Sequence, residues 1–185
     1  EYIEKIEEIA INPILNASTP KNILVIGAGA FTVGFEDTNN HYDFVDIDKS
    51  LKELSEKYIL KEKLTDNKKF HPLPARAFLA QSNQKYDLII LDAYLGSLTL
   101  PEHLVTREFF QSVKDALSDD GVVIGNFIMS PNFQDVFSRN MDNTLNDNKA
   151  TVSTTASEFT STFQQSGSAN KSQARGRGVV ATNGY

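Results

Sequence analysis

The amino-acid sequence predicts an α/β fold: a Rossmann-like, doubly wound and mostly parallel sheet that closes with a C-terminal antiparallel hairpin. Two apolar runs, Ile23–Ile26 and Tyr86–Asp92, are too short for helices and are bounded by glycine or aspartate, as buried parallel strands often are. Helical patterns alternate with these and further strand patterns along the chain. Such alternation is typical of parallel strands whose two faces are covered by helices.

The length and composition are those of an ordinary soluble globular protein. The 185 residues suit one α/β domain over 21–185, preceded by an N-terminal helix and connector over 1–20. A net charge of −6 argues against a nucleic-acid-binding surface, and no apolar run is long enough to span a bilayer. The absence of cysteine excludes disulfides and thiolate chemistry and fits a cytoplasmic location.

The first half of the chain is predicted to open with an amphipathic helix over residues 1–12, followed by the strand Ile23–Ile26 and a glycine turn. A second strand, Tyr42–Ile47, ends in two carboxylates. Ser50 and Glu53 form a capping box that predicts a further helix. The remaining features expected here are a buried helix face of Leu51, Leu54 and Tyr58, a short edge strand Phe70–Ala75 that contains prolines, and a helical turn over Arg76–Gln81.

The second half is predicted to continue the alternation from the strand Tyr86–Asp92. Thr99 and Glu102 form another capping box, with Pro101 in the first turn of the helix that follows. The buried face of that helix is expected to consist of Val105, Phe109, Val113, Ala116 and Leu117. A turn at Asp119-Asp120-Gly121, a strand Gly121–Met129 and a helix with Phe133, Phe137, Met141 and Leu145 on one face complete the pattern.

The polar composition after residue 145 leaves two alternatives open. The segment is either a disordered polar tail or two closing strands, Ala150–Thr155 and Gly178–Thr182, with a polar turn-and-helix segment between them. Val152 and the apolar Val179-Val180-Ala181 favour the strands. We therefore expect an antiparallel pair at the end of the sheet.

A glycine turn and an acid indicate a nucleoside-binding site. Gly27-Ala28-Gly29 follows the first strand and allows backbone to approach a ligand closely, although Thr32 stands where a third glycine would complete a dinucleotide fingerprint. Asp46 ends the second strand seventeen residues after Gly29, near the roughly 20 expected of a ribose-binding carboxylate. The alternative is that Asp46 and Asp48 cap the next helix; we favour the sugar-binding role for Asp46.

Asp92 is predicted to border the same site. It ends a buried strand expected beside the first one, at the point where the strand order reverses and ligands bind in α/β sheets. The alternative is a turn residue that satisfies nearby backbone amides. Tyr94, two residues on, either lines the site with its ring and hydroxyl or lies on the surface.

The sequence offers no support for metal or hydrolase chemistry. His41, His71 and His103 lie in different contexts without ligand spacing, so no metal site is predicted. Gly96-Ser97 lacks the flanking residues of a nucleophile elbow.

Four segments resemble the spermidine/spermine synthase family: VIGAGA, FVDID, YDLIILDAY and LPEHLVTREFFQSVKDALSDDGVVIGNF. The similarity runs from about Lys21 to Asn143 and implies the class I S-adenosylmethionine-dependent methyltransferase fold. It also implies S-adenosylmethionine or decarboxylated S-adenosylmethionine as cofactor, with methylthioadenosine or S-adenosylhomocysteine as product and no metal. A homodimer is suggested by the same resemblance.

The resemblance also implies roles for individual residues. Asp46 would hold the ribose, and Asp92 would bind and deprotonate an attacking amine. Tyr94 is predicted as a second contact to the acceptor from its position two residues after Asp92. The cofactor-binding set implied by the resemblance is Gly27, Ala28, Gly29, Asp46, Ile47, Ala75 and Asp92.

Three positions depart from the family pattern. Ala30 and Leu95 stand where the family carries acids that handle the amine substrate, and Pro74 stands where an acid contacts adenine. A diamine is a dication whose desolvation needs carboxylates, and each lost charged hydrogen bond costs about 1–3 kcal/mol, so efficient putrescine aminopropyl transfer is not expected.

Three interpretations follow from the sequence. The first is a transferase that moves an aminopropyl or methyl group to an undefined, amine-type acceptor. The second is a non-catalytic nucleoside-binding or structural module that has lost the amine-binding carboxylates. The third, an NAD-type dehydrogenase, is disfavoured by the missing third glycine.

Overall fold

In the computed structural model, the chain is described over residues 12, 17–93, 101–125, 136–147, 151–156 and 176–182. Seven strands form one sheet: β1 Asn22–Ile26, β2 His41–Asp46, β3 Lys68–Pro72, β4 Tyr86–Leu91, β5 Leu117–Gly125, β6 Thr151–Ala156 and β7 Gly176–Thr182. The helices are α1 Leu51–Leu54, which continues as a π-helix over Ser55–Leu60, then α2 Ala75–Gln81, α3 Arg107–Ala116 and α4 Val136–Asp147, with a 3₁₀ turn at Glu102–Leu104.

The sheet has the order β3-β2-β1-β4-β5-β7-β6, and its first five strands are parallel. The order reverses at β1, which pairs with β2 on one side and with β4 on the other. The predicted doubly wound, mostly parallel sheet is therefore confirmed. β7 is antiparallel to both β5 and β6, but residues 157–175 lie outside the described part of the chain, so the closing hairpin stays a prediction.

Two apolar clusters cover the two faces of the sheet, because side chains alternate along each strand. Leu24 and Ile26 of β1 face the cluster that holds α2, α3 and Met141 of α4. Ile23 and Val25 face the opposite cluster, which contains Phe31, Phe44 and Leu88. Burial on both sides explains why β1 is apolar at consecutive positions rather than alternating.

The predicted buried face of the helix after Ser50 is wrong in part. Leu54 and Tyr58 are 47% and 63% exposed, whereas Ser55 and Glu56 are 2% and 7% exposed. The cause is the π-helix over Ser55–Leu60, whose wider turn changes which residues face inward. Glu56 is stabilised there by Lys63 Nζ at 2.7 Å and the Leu64 amide at 3.1 Å, which together lower its pKa despite burial.

The predicted capping box at Ser50 and the start of the helix predicted after Thr99 are also corrected. Ser50 makes no side-chain cap, because its hydroxyl donates to Asp48 Oδ1 at 2.6 Å instead. The α-helix expected after Thr99 begins only at Arg107, where Thr106 Oγ1 accepts from the Phe109 amide at 3.2 Å. Thr99 itself lies outside the described residues.

Several strand ends differ from the prediction. β3 ends at Pro72, and Ala75 begins helix α2 instead of ending the strand. Leu117 belongs to β5, as do the predicted turn residues Asp119-Asp120-Gly121, because β5 starts early and its register against β4 is irregular between Tyr86 and Leu88.

Some expected elements are not described. Most of the predicted N-terminal helix (residues 1–11), the end of the predicted strand Gly121–Met129 (residues 126–129) and Phe133 of the predicted helix lie outside the described residues. Among the described residues, no helix combines the length and apolarity needed to cross a membrane.

Candidate functional site

The candidate site lies at the carboxyl ends of β1, β2 and β4, where the sequence predicted it. Because these strands are parallel neighbours, the segments that follow them meet at one edge of the sheet. Two backbone hydrogen bonds fix that meeting: the Gly27 amide donates to Val45 O at 2.9 Å, and the Asp92 amide donates to Ile26 O at 2.8 Å. The glycine turn is therefore held between β2 and β4.

The two glycines of the turn have different reasons to be glycine. Gly27 has φ +92°, and a Cβ there would overlap the backbone of Asp92, with its carbonyl carbon at 2.6 Å and Ala93 N at 2.8 Å. Gly29 has φ +50°, but a Cβ there would meet no atom of the described part of the chain within 4 Å. Gly27 is thus required by close packing against the end of β4, whereas Gly29 faces open space that a ligand could fill.

Asp46 links the glycine turn to the end of β2. Its Oδ2 accepts from the Ala28 amide at 3.1 Å, and its Oδ1 accepts from the Asp48 amide at 3.0 Å. A carboxylate can accept about four hydrogen bonds, so each oxygen has capacity for a second donor. The half-buried Asp46 can therefore hold the turn and accept hydrogen bonds from a sugar diol at the same time.

Asp48 takes the local structural role that the sequence left open. Its Oδ1 accepts from the amide of Ser50 at 2.9 Å and from the Ser50 hydroxyl at 2.6 Å. These bonds lower the pKa of Asp48 and fix the turn that leads into α1. The alternative that Asp46 caps α1 is not supported, because the amides that donate to its carboxylate among the described residues belong to Ala28 and Asp48.

Ile47 and Ala75 were implied as cofactor contacts and lie in contrasting environments. Ile47 directly follows Asp46 and is 68% exposed. Such a side chain beside a ribose-binding acid can cover the face of a base. Ala75 is buried in the core at the start of α2, so its side chain packs against the protein.

Asp92 is half-buried directly after β4, and the neighbouring Ala93 packs against the core. The backbone bond to Ile26 places Asp92 beside the glycine turn, as predicted. Tyr94 and Leu95 lie outside the described residues, so the predicted acceptor contact at Tyr94 stays a prediction. Pro74 caps the start of α2 through its carbonyl, which accepts from the Phe78 amide at 3.0 Å.

Sequence reasoning missed the role of Phe31. This residue is fully buried with φ +59°, and its ring makes edge contacts to Phe44 and Phe70 with centroids 5.1 and 5.2 Å apart. The crossover from β1 to β2, residues 27–40, contains successive turns and no helix. A large aromatic residue directly after a glycine turn, where a helix would normally begin, was the available signal.

The three histidines lie in different environments. His71 Nε2 lies 2.6 Å from Asp43 Oδ1, and the Tyr86 hydroxyl donates to Asp43 Oδ2 at 2.9 Å. Burial, together with Asp43, raises the pKa of Tyr86, so the hydroxyl stays protonated. His41 and His103 are exposed, and the described residues contain no group of side chains suited to hold a metal ion.

Sequence comparison gives a consistent family assignment. Residues 3–172 match the family model described as the spermine/spermidine synthase domain. The polyamine aminopropyltransferase of Vibrio vulnificus is 36% identical over 114 residues, covering 58% of this chain and 38% of that protein. The polyamine aminopropyltransferase of Methanocaldococcus jannaschii is 30% identical over 130 residues, covering 66% and 43%. The chain therefore spans about two fifths of the length of these curated relatives.

Solved structures share the fold at low sequence identity. A probable spermidine synthase from Corynebacterium glutamicum superposes with a TM-score of 0.71 and 18% identity, covering 98% of this chain and 62% of that chain. Spermidine synthase from Thermotoga maritima superposes with a TM-score of 0.67 and 19% identity, and the match covers 98% of this chain and 60% of that chain. Human methyltransferase-like protein 13 in complex with SAH superposes with a TM-score of 0.62 and 19% identity, and the match covers 92% of this chain and 73% of that chain. These likenesses establish a class I methyltransferase-like α/β fold.

Proposed function

Because this chain belongs to the spermine/spermidine synthase family, we propose that it transfers an aminopropyl group from decarboxylated S-adenosylmethionine to an amine acceptor. The curated relatives that it matches carry the name polyamine aminopropyltransferase, which supports this activity over methyl transfer and over a non-catalytic module. The observation that carries the proposal is the arrangement of Asp46 against the open glycine turn.

The residues present fit the nucleoside of such a donor. Asp46 has acceptor capacity for the two ribose hydroxyls, and its bond to the Ala28 amide fixes the carboxylate beside the turn. Gly29 leaves room for the ligand, and the exposed Ile47 offers an apolar surface for adenine. When bound, the donor supplies a propylamine carbon activated by a sulfonium leaving group.

Asp92 is the proposed catalytic residue. Its carboxylate lies at the same edge of the sheet and would accept a hydrogen bond from the acceptor amine, orienting the nitrogen lone pair toward the activated carbon. As the new carbon–nitrogen bond forms and the carbon–sulfur bond breaks, the amine becomes positively charged. Asp92 would accept the proton that this nitrogen must lose.

The crossover after β1 argues against a dinucleotide cofactor. In dinucleotide-binding folds the pyrophosphate lies at the positive N-terminus of a helix that follows the glycine turn. Residues 27–40 contain no such helix, and Thr32 replaces the third glycine. These two features favour a donor without a pyrophosphate over a nicotinamide dinucleotide.

We propose that the acceptor is an amine whose binding requires fewer carboxylates than the family pattern supplies for putrescine. Ala30 is half-exposed in the glycine turn and offers no charge to a distal ammonium group. Asp92 is thus left to neutralise one cationic centre. The proposal also includes Tyr94 as an acceptor contact, a homodimer and a cytoplasmic location.

Isothermal titration calorimetry tests the donor assignment. We expect binding of methylthioadenosine and decarboxylated S-adenosylmethionine, with S-adenosylmethionine weaker than its decarboxylated form. Product analysis with putrescine, spermidine and monoamines then identifies the acceptor. If none of the three nucleosides binds at millimolar concentration, the proposal is wrong.

A further inference from the structure

The crossover from β1 to β2 lacks the element that usually fixes a glycine turn. In place of a helix, residues 28–37 form consecutive turns, closed by the Phe31 amide to Ala28 O at 3.0 Å, the Phe35 amide to Thr32 O at 3.2 Å and the Asp37 amide to Gly34 O at 3.1 Å. Turns without a regular helix restrain the backbone weakly unless a side chain anchors them.

Phe31 supplies that anchor. Its ring is fully buried against Phe44 of β2 and Phe70 of β3, while its own amide closes the turn that begins at Ala28. A bulky residue at φ +59° is strained, and such strain persists only where surrounding contacts enforce it. The packing of the ring therefore determines the conformation of the backbone between Ala28 and Phe31.

The anchored turn is the part of the molecule that borders the open side of the site. Gly29 lies between Ala28, which is bonded to Asp46, and Phe31, which is buried in the core. The ring of Phe31 packs among core side chains and does not face the open space at Gly29. Any effect of Phe31 on a ligand must therefore pass through the turn.

We propose that Phe31 is a positioning residue that replaces the missing crossover helix and sets the Ala28–Ala30 backbone for the donor nucleoside. The inference rests on the proposed function, because the nucleoside is the ligand whose binding it would control.

The test compares Phe31→Leu with Phe109→Leu, a matched change at another buried phenylalanine, which lies on α3 at the opposite face of the sheet. Methylthioadenosine affinity is measured by calorimetry at a temperature where both variants are folded by circular dichroism. We expect Phe31→Leu to weaken binding about tenfold or more, since small displacements of a binding segment have large effects. Phe109→Leu should lower the melting temperature yet leave the affinity within about twofold.

Hydrogen exchange provides a readout that general destabilisation would not reproduce. The Ala28 amide should exchange faster in Phe31→Leu than in Phe109→Leu. If Phe31→Leu does not fold, Phe31→Met takes its place, because the flexible methionine fills irregular core space. Unchanged affinity in a folded Phe31 variant would overturn this inference alone, whereas no binding by the unsubstituted protein would overturn the proposed function as well.

Discussion

The two ends of strand β2 carry polar clusters of opposite character. At the amino end, Asp37 accepts from the Tyr42 hydroxyl at 2.6 Å, from Asn40 Nδ2 at 2.7 Å and from the amides of Asn39 and Asn40 at 2.8 and 3.2 Å. Lys68 Nζ donates to Asp37 O and to Thr65 Oγ1, and both Asn40 and Lys68 are buried. The polar groups at this end of the strand are therefore hydrogen-bonded to one another within the protein.

The carboxyl end of β2 is polar but open. Asp46 accepts one amide hydrogen bond on each oxygen, Ile47 is exposed, and a Cβ built on Gly29 would meet no atom of the described residues within 4 Å. The difference shows that the partners of a carboxylate, rather than its position at a strand end, separate a structural acid from a ligand-binding one. Asp37 has its acceptor sites occupied by four donors, whereas Asp46 retains capacity for a ligand.

The largest expected effect separates catalysis from binding at the open end. Asp92→Asn should reduce turnover of aminopropyl transfer by roughly 10²–10⁴-fold, because the amide cannot accept the proton. The affinity for methylthioadenosine should change by less than about threefold, since the asparagine keeps the shape and a carbonyl oxygen. Steady-state kinetics with calorimetry on the same preparation measures both, and an undiminished turnover would contradict the role.

The second expected effect is on donor affinity. Asp46→Ala should weaken methylthioadenosine binding about 100-fold, because two charged hydrogen bonds to the ribose are lost at about 1.5 kcal/mol each. The loss should exceed that caused by Asp92→Ala, as measured by calorimetry. Asp46→Asn, which keeps one carbonyl oxygen for the turn, serves as the milder control. The reverse order of the two alanine variants would show that the ribose site is assigned to the wrong acid.

The smallest expected effect lies at the closed end and concerns stability. Asp37→Ala removes the carboxylate that accepts from the Tyr42 hydroxyl and from Asn40 Nδ2, so the free energy of unfolding should fall by about 2–3 kcal/mol. Urea denaturation measures this loss. The affinity for methylthioadenosine should stay within about twofold of the unsubstituted protein. A large loss of affinity would show that Asp37 is not a purely structural acid.

The pH dependence of stability supplies a control for the same residue. Burial raises the pKa of Asp37, but the hydrogen bonds from Tyr42, Asn40 and Asn39 outweigh it and hold the pKa below its usual value. A carboxylate with a depressed folded-state pKa stabilises the protein above its unfolded pKa of about 3.9, and that contribution is lost as the pH falls through the folded pKa. Asp37→Asn should therefore lose less stability than the unsubstituted protein between pH 6 and about pH 3.

The sequence predicted the strands well because their signals are local. A short apolar run such as Ile23–Ile26 identifies a buried strand by itself, and the spacing from Gly29 to Asp46 placed the two segments at one edge of the sheet. The register and the irregular start of β5 could not be predicted, since they depend on how Tyr86 and Leu88 pair with distant residues.

Other features of the site depend on contacts that no local pattern contains. The burial of Phe31 is decided by Phe44 and Phe70, which belong to two later strands. The inward position of Glu56 follows from a π-helical turn and from Lys63, neither of which is visible in a 3.6-residue period. Function-related departures from local rules are where sequence reasoning is expected to fail.

Strand β3 also affects how the molecule behaves toward other copies of itself. As one edge of the described sheet, it exposes backbone groups that could pair with a strand from another molecule. The strand is five residues long, ends at Pro72, which has no amide hydrogen to donate, and carries the exposed Lys69. These features of β3 discourage edge-to-edge pairing with a strand of another molecule.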